Sequence, residues 1–180
     1  NGAILAIAAG IDLKCPVSVF LVENKPDLYP GSILSEPYTG HRICIKDTDA
    51  EGRIGLADLL AGSENPSHIT IATLTGSASA FSGKGQFALI HHNFSYCSHR
   101  CCEIEADIIN QYQDMDLKIW PAPCSKDYDE DIKSKINGAT LNNIGSGKLK
   151  GGGSQTAFSF LKEFTKKPLI HMDMAAMMLD

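Results

Sequence analysis

The apolar residues of this chain fall in short runs separated by glycine, proline and charge, and the period of the runs changes along the sequence. Residues 2–11 are small and apolar up to Gly10, which predicts a helix ending there, and 16–24, "PVSVFLVEN", predicts a buried strand. The prolines and glycines of 24–40 predict a loop. "HRICIK" (41–46) alternates as a strand does, and after Gly52 the run "IGLADLLAG" predicts a short helix that stops at Gly62. "SHITIATLTG" (67–76), rich in β-branched residues and closed by a glycine, is the strongest strand signal, and "FALIH" (87–91) predicts another. Ile104, Ile108 and Ile109 predict a helix over 103–111, and "KDYDEDIKSKI" (126–136) a shorter one. In "GGGSQTAFSFLKEFTKK" (151–167), Ser154 is the expected N-cap of a helix carrying Ala157, Phe160, Leu161 and Phe164 on one stripe. "PLIHMDMA" (168–175) predicts a last buried strand. Strands alternating with helices imply a layered α/β domain whose strand ends deliver the functional groups.

With 180 residues, 43% of them hydrophobic, the chain can bury one sizeable core, so a single domain over 1–180 is expected. A net charge of −5 and the lack of any Lys/Arg-rich run weigh against nucleic acid or an anionic membrane as the main partner and favour a small substrate or a protein. No stretch has the roughly eighteen uninterrupted apolar residues of a membrane span, and the start lacks a basic leader region, so a soluble chain is expected. The six scattered cysteines (Cys15, Cys44, Cys97, Cys101, Cys102 and Cys124) fit a reducing compartment, the cytoplasm. A start on Asn1 rather than Met implies a processed or longer polypeptide.

The chemistry concentrates in "IKDTDAEGRIGLAD" (45–58), where Asp47, Asp49, Glu51 and Arg53 occupy alternate positions. If the stretch is extended, all four charged groups project to one face. Adjacent carboxylates repel and raise one another's pKa unless a cation neutralises them, and one arginine does not balance three acids. A metal ion, or two, would. Asp49 and Glu51 are hard oxygen donors, Glu51 is long enough to bridge two cations, and Arg53 could hold an anion beside them, next to the positive end of the following helix. Two other readings stay open. One is a solvated acidic turn. The other is a calcium-binding EF-hand loop, since Asp47, Asp49, Glu51, Gly52, Ile54 and Asp58 fall at its positions 1, 3, 5, 6, 8 and 12. Against the latter, Asp58 is short for the bidentate twelfth ligand and the upstream flank is strand-like.

Other motifs favour plainer readings. Gly151–Gly153 lack the Gly-Lys-Ser/Thr ending of a phosphate loop and predict a tight turn that lets the next helix pack closely. "HHNFSYCSHRCC" (91–102) has ligand-type residues but no zinc-site spacing. His171 and Asp173 predict a satisfied core pair, and Met172, Met174, Met177 and Met178 predict core packing, with a thioether-lined pocket for an apolar side chain as the alternative.

Four motifs in order, "DTDAEGRIGLADLL", "IATLTGSA", "GGGSQTAFSFLKEF" and "PLIHMDMA", resemble the catalytic domain of the leucyl aminopeptidases, the two-metal cytosol aminopeptidases. The resemblance covers most of the chain. It implies a three-layer α/β/α domain with a mixed central sheet that hydrolyses an N-terminal, apolar-leaning amino acid from a peptide, uses two divalent metals (zinc or manganese) and works as a homo-hexamer. It further implies that Asp49 and Glu51 are metal ligands, Glu51 bridging both ions, and that Arg53 is catalytic, holding a bicarbonate-like base. Thr73, Leu74 and Gly76 would line the substrate, with the Leu74 carbonyl facing its amino group, and Ala175 and Met178 would line the pocket for its first side chain.

Departures accompany the matches. The family signature N-T-D-A-E-G-R begins here with Asp47 in place of asparagine, and Thr70 stands where the family more often has an acid. The family's other ligands, a lysine and two aspartates, and a second catalytic lysine lie upstream of the matched motifs, and "NGA" at 1–3 looks like the end of the segment that follows one of them. Either the chain is part of a longer enzyme, or another polypeptide completes its site, or it is a degenerate relative that serves as a structural scaffold.

Overall fold

A computed structural model describes residues 16–20, 28–83, 88–93 and 119–178, together with helical positions at Glu103, Ala106, Asp107 and Asn110. Its elements follow in the order β1 (Ile33–Ser35), β2 (Arg42–Cys44), α1 (Gly52–Ala61), β3 (His68–Ala72), α2 (Ala78–Ser82), β4 (Ala88–His92), β5 (Ile119–Pro121), α3 (Lys126–Asp131), β6 (Leu141–Asn142), α4 (Gly153–Lys162), β7 (Leu169–Asp173) and a 3₁₀ turn (Ala175–Met178). The fold is mixed α/β. Among the described residues the strands form two sheets, β1-β2-β6 and β3-β7-β4-β5, each combining parallel and antiparallel pairs.

β7 lies between β3 and β4 and is buried along its whole length. Its apolar run therefore faces protein on both sides, as an interior strand requires. Thr70 of β3 and His91 of β4 both register with His171, while Ala72 and Leu89 register with Asp173. The main core joins the two sheets through α1 and α4: Ile43 and Leu141 from one sheet, with Ile45 just after β2, meet Ala57 and Leu60 of α1, Phe158, Phe160 and Leu161 of α4, then Phe164 and Leu169. The expected stripe Ala157, Phe160, Leu161 and Phe164 is buried throughout.

Several expectations change. The stretch 24–40 is not loop throughout, because Ile33–Ser35 pairs antiparallel with Arg42–Cys44. A buried Glu36 closes this hairpin, accepting the Tyr38 and Thr39 amides at 2.8 and 2.6 Å, and Gly40 supplies the positive φ (75°) the turn needs. Residues 16–20 are not a buried strand: they carry no strand pairing among the described residues, and Val17, Val19 and Phe20 are 37%, 36% and 41% exposed. The predicted helix over 2–11, residues 21–24 and most of the cysteine-rich stretch lie outside the described residues. Ser154 is not the N-cap of α4. Gly152 holds that position, and Ser154, one residue inside the helix, turns its hydroxyl into the core.

The glycine run explains this shift. A Cβ at Gly153 would stand 2.2 Å from Ser77 Oγ and 3.1 Å from Ser77 Cβ, and one at Gly152 2.7 Å from the Tyr128 ring, so the start of α4 can pack against the segment after β3 and against α3 only without side chains at these positions. Gly153→Ala is expected to destabilise the protein by about 1–3 kcal/mol through overpacking. Ser77→Gly in the same chain should restore most of that loss, since it removes Ser77 Oγ and Cβ, the two atoms that would press on the added methyl. Urea midpoints of the two single variants and the double variant measure the coupling.

Candidate active site

After β2 the chain makes a turn, in which the Asp49 amide donates to Asp47 Oδ1 at 3.0 Å and the Ala50 amide to the Asp47 carbonyl at 3.4 Å. Glu51 already has helical backbone (φ −75°, ψ −36°), and α1 begins at Gly52. The premise of an extended segment is therefore corrected. The two-residue period that would align Asp47, Asp49, Glu51 and Arg53 exists only in a strand, whereas here Asp49 lies in a turn, Glu51 at a helix entrance and Arg53 inside the helix. The EF-hand alternative falls with it, since β2 occupies the place of the entering helix and Ile54 and Asp58 lie within α1, where the calcium loop would still be running.

Asn143, fully buried at the end of β6, fixes the turn. Its Oδ1 accepts the Lys46 amide at 2.7 Å and the Asp47 amide at 3.4 Å, and its Nδ2 donates to the Asp47 carbonyl. Asp47, Asp49 and Glu51 are exposed, while Arg53 is only 5% exposed. Burial lowers the Arg53 pKa to about 10, against the opposing pull of the Asp173, Asp47 and Glu51 carboxylates. Its Nε has no hydrogen-bond partner among the described residues. A charge held at such cost with a donor unused suits an anion. Across from it, a Cβ at Gly52 would lie 3.3 Å from Leu74 Cδ2, so the entrance of α1 and the exit of β3 meet.

Asp173, at the end of β7, is fully buried and ties this region together. Its Oδ1 accepts the amides of Leu74 (3.2 Å) and Ala175 (3.1 Å), and its Oδ2 accepts the hydroxyls of Thr75 (2.7 Å) and Ser154 (2.8 Å). Since the Ser154 proton points to Asp173, His91 Nε2, 2.8 Å from Ser154 Oγ, is the donor in that contact. The His91 ring stacks between Phe158 (5.2 Å) and His171 (6.0 Å), and His171 Nδ1 lies 2.9 Å from Thr70 Oγ1. Asp173 is thus fully satisfied, whereas His171 is bonded at Nδ1 only and its buried Nε2 has no partner among the described residues, so the expectation of a satisfied pair holds for the carboxylate and not for the imidazole.

Of the residues expected to face substrate, Thr73 and Gly76 are exposed in the segment after β3, Leu74 is half-buried between them, and Ala175 packs with Ala78, Leu89, Ala122 and Ala176. Met178 ends the 3₁₀ turn. Asn143, Thr75, Ser154 and His91 were not singled out as site residues from the sequence. The alternation of His171 and Asp173 was the available signal, since both face one side of β7, but their partners are remote in sequence. Among the described residues no three His, Cys, Asp or Glu side chains are placed to hold a metal ion. Asp49 and Glu51 supply exposed oxygen donors of the type hard divalent cations take, and no more than part of a coordination shell.

The cytosol aminopeptidase family, catalytic domain, matches residues 1–180. The chain belongs to this family. It is 37% identical over 185 aligned residues to a probable cytosol aminopeptidase of Glaesserella parasuis serovar 5 (strain SH0165), covering 97% of this chain and 34% of that protein. The cytosol aminopeptidase of Buchnera aphidicola subsp. Acyrthosiphon pisum (strain APS) is 35% identical over 150 residues, covering 81% and 27%. Among solved structures, a lysine-to-glutamate mutant of tomato leucine aminopeptidase superimposes with a TM-score of 0.71 at 28% identity, covering 87% of this chain and 29% of its own. The chain thus spans about a third of the length of the relatives it matches. The family is metal-dependent.

The buried histidines set the pH response. Burial holds His91 well below its ordinary value, with His171 and His92 adding to the effect. Burial also brings His92 to about 4, and His171 to about 4 against the opposing influence of Asp173. Neutral histidines are therefore part of the folded state. Their stabilisation is complete above the unfolded value near 6.5 and is lost as pH falls towards 4, where the unfolded chain binds protons that the folded chain refuses. Urea midpoints should fall steadily between pH 7 and pH 4.5, and His91→Gln should make that slope shallower.

Proposed function

We propose that these residues belong to the catalytic unit of a cytoplasmic two-metal aminopeptidase, a homo-oligomer, which the family resemblance makes a hexamer, that removes N-terminal, apolar-leaning residues from peptides. The observation that carries the reading is the D-x-E-G-R turn, pinned by Asn143, leading into a helix whose Arg53 is buried with an Nε that has no partner among the described residues. Family membership over residues 1–180 supports it. In this reading Asp49 and Glu51 are ligands to zinc or manganese, and the remaining donors come from outside the described residues. Two such cations, when bound, lower the pKa of a shared water and polarise the scissile carbonyl.

The chain's own residues do the rest. Arg53 holds an anion, bicarbonate in this proposal, whose charge offsets the desolvation of the guanidinium. The backbone after β3 orients the peptide, the Leu74 carbonyl accepting from its free amino group while Thr73 and Gly76 line the approach. Ala175 and Met178 bound the pocket for the first side chain. No helix among the described residues is long and apolar enough to cross a membrane.

A second reading, a noncatalytic scaffold, is favoured by Asp47, which adds a carboxylate where the family signature has asparagine. Assay of the full-length native assembly with added manganese or zinc decides between them. The aminopeptidase reading expects hydrolysis of leucine amide that falls about a hundredfold or more in Glu51→Ala and Arg53→Ala, while Asp58→Asn, on the exposed side of α1, leaves the rate unchanged. No turnover in the wild-type assembly leaves the scaffold.

A further inference from the structure

The proposed metal and anion chemistry makes no use of Asp173, yet this carboxylate is the most heavily bonded side chain near the site. We propose that Asp173 is a positioning residue for the substrate, one that orients the Leu74 carbonyl and couples it to the pocket wall at Ala175. The proposal rests on the aminopeptidase reading and deepens it.

The argument is geometric. A backbone carbonyl points where the ψ of its own residue and the φ of the next direct it. Asp173 holds both neighbours of the Leu74 carbonyl, the Leu74 amide through Oδ1 at 3.2 Å and the Thr75 side chain through Oδ2 at 2.7 Å. The carboxylate cannot swing, because Oδ1 also takes the Ala175 amide at 3.1 Å and Oδ2 the Ser154 hydroxyl at 2.8 Å. With Asp173 fully buried, no water can replace a lost partner. Two segments about a hundred residues apart in sequence, one bearing Leu74 and the other Ala175, are thereby locked in one relation before substrate arrives. A preset acceptor needs no reorganisation when the amino group binds. An amide at position 173 would break this arrangement, since its NH₂ would face two of the four donors.

The test uses the full-length, metal-loaded protein with leucine amide and alanine amide as substrates. Asp173→Asn is expected to raise KM about tenfold or more, to erode the preference for leucine over alanine, and to change kcat less, with metal content per chain unchanged. Hydrogen exchange should quicken at the Leu74 and Ala175 amides. Thr75→Val should act in the same direction to a smaller degree, and Thr75→Ser, which keeps the hydroxyl, should match wild type. These two variants keep the test decisive where Asp173→Asn folds poorly. Unchanged KM and substrate preference in Asp173→Asn and Thr75→Val, with only a lower Tm, would make the network structural and overturn the proposal. Absence of turnover in the wild type itself would instead overturn the aminopeptidase reading and leave the clamp with no substrate to position.

Discussion

A carboxyl group cannot be taken out of water unless other groups bond it, and at Asp173 four donors from three parts of the chain do so. That requirement organises the region. It draws the segment after β3, the start of α4 and the segment after β7 to one point, and the glycines at 152 and 153 let α4 approach closely enough to contribute Ser154. The buried rings of Phe158, His91 and His171 stack beside the network, which His91 joins through Ser154.

Around this rigid centre the more reactive groups are graded by exposure. Asp49 and Glu51 stand in solvent on a turn whose backbone is pinned by Asn143, while Arg53, two residues further, is buried. Ligands that must meet a cation gain from being reachable, and a cation that must attract an anion gains from a low dielectric. Under the proposed aminopeptidase reading the same short sequence would serve both needs, because the chain passes from turn to helix between Glu51 and Arg53. A continuous strand would have left all four charges equally exposed or equally buried on one face.

Much of this was legible in the sequence, and the losses have identifiable causes. The strand signals over 67–76 and 168–175 and the apolar stripe of α4 depend on local period and burial, and they reappear as β3, β7 and α4. β1 escaped notice because Ile33 and Leu34 stand among prolines and glycines and become a strand only through pairing with β2. The alternating acids invited a strand reading that Gly52 overrules by opening a helix. Ser154 has the composition of an N-cap, but the glycines shift the helix start and leave its hydroxyl to Asp173. The His171 and Asp173 pair was visible as an alternation; that Thr75 and Ser154 complete it was not, since no local pattern carries a contact spanning ninety-eight residues.

The central claim, that the acidic turn is part of a metal-dependent hydrolytic site, is tested most directly by the metal content of the native, unreconstituted full-length protein. Elemental mass spectrometry should find about two zinc or manganese ions per chain, as a two-metal site requires. Protein free of transition metal would contradict it and make the turn a surface feature of a scaffold.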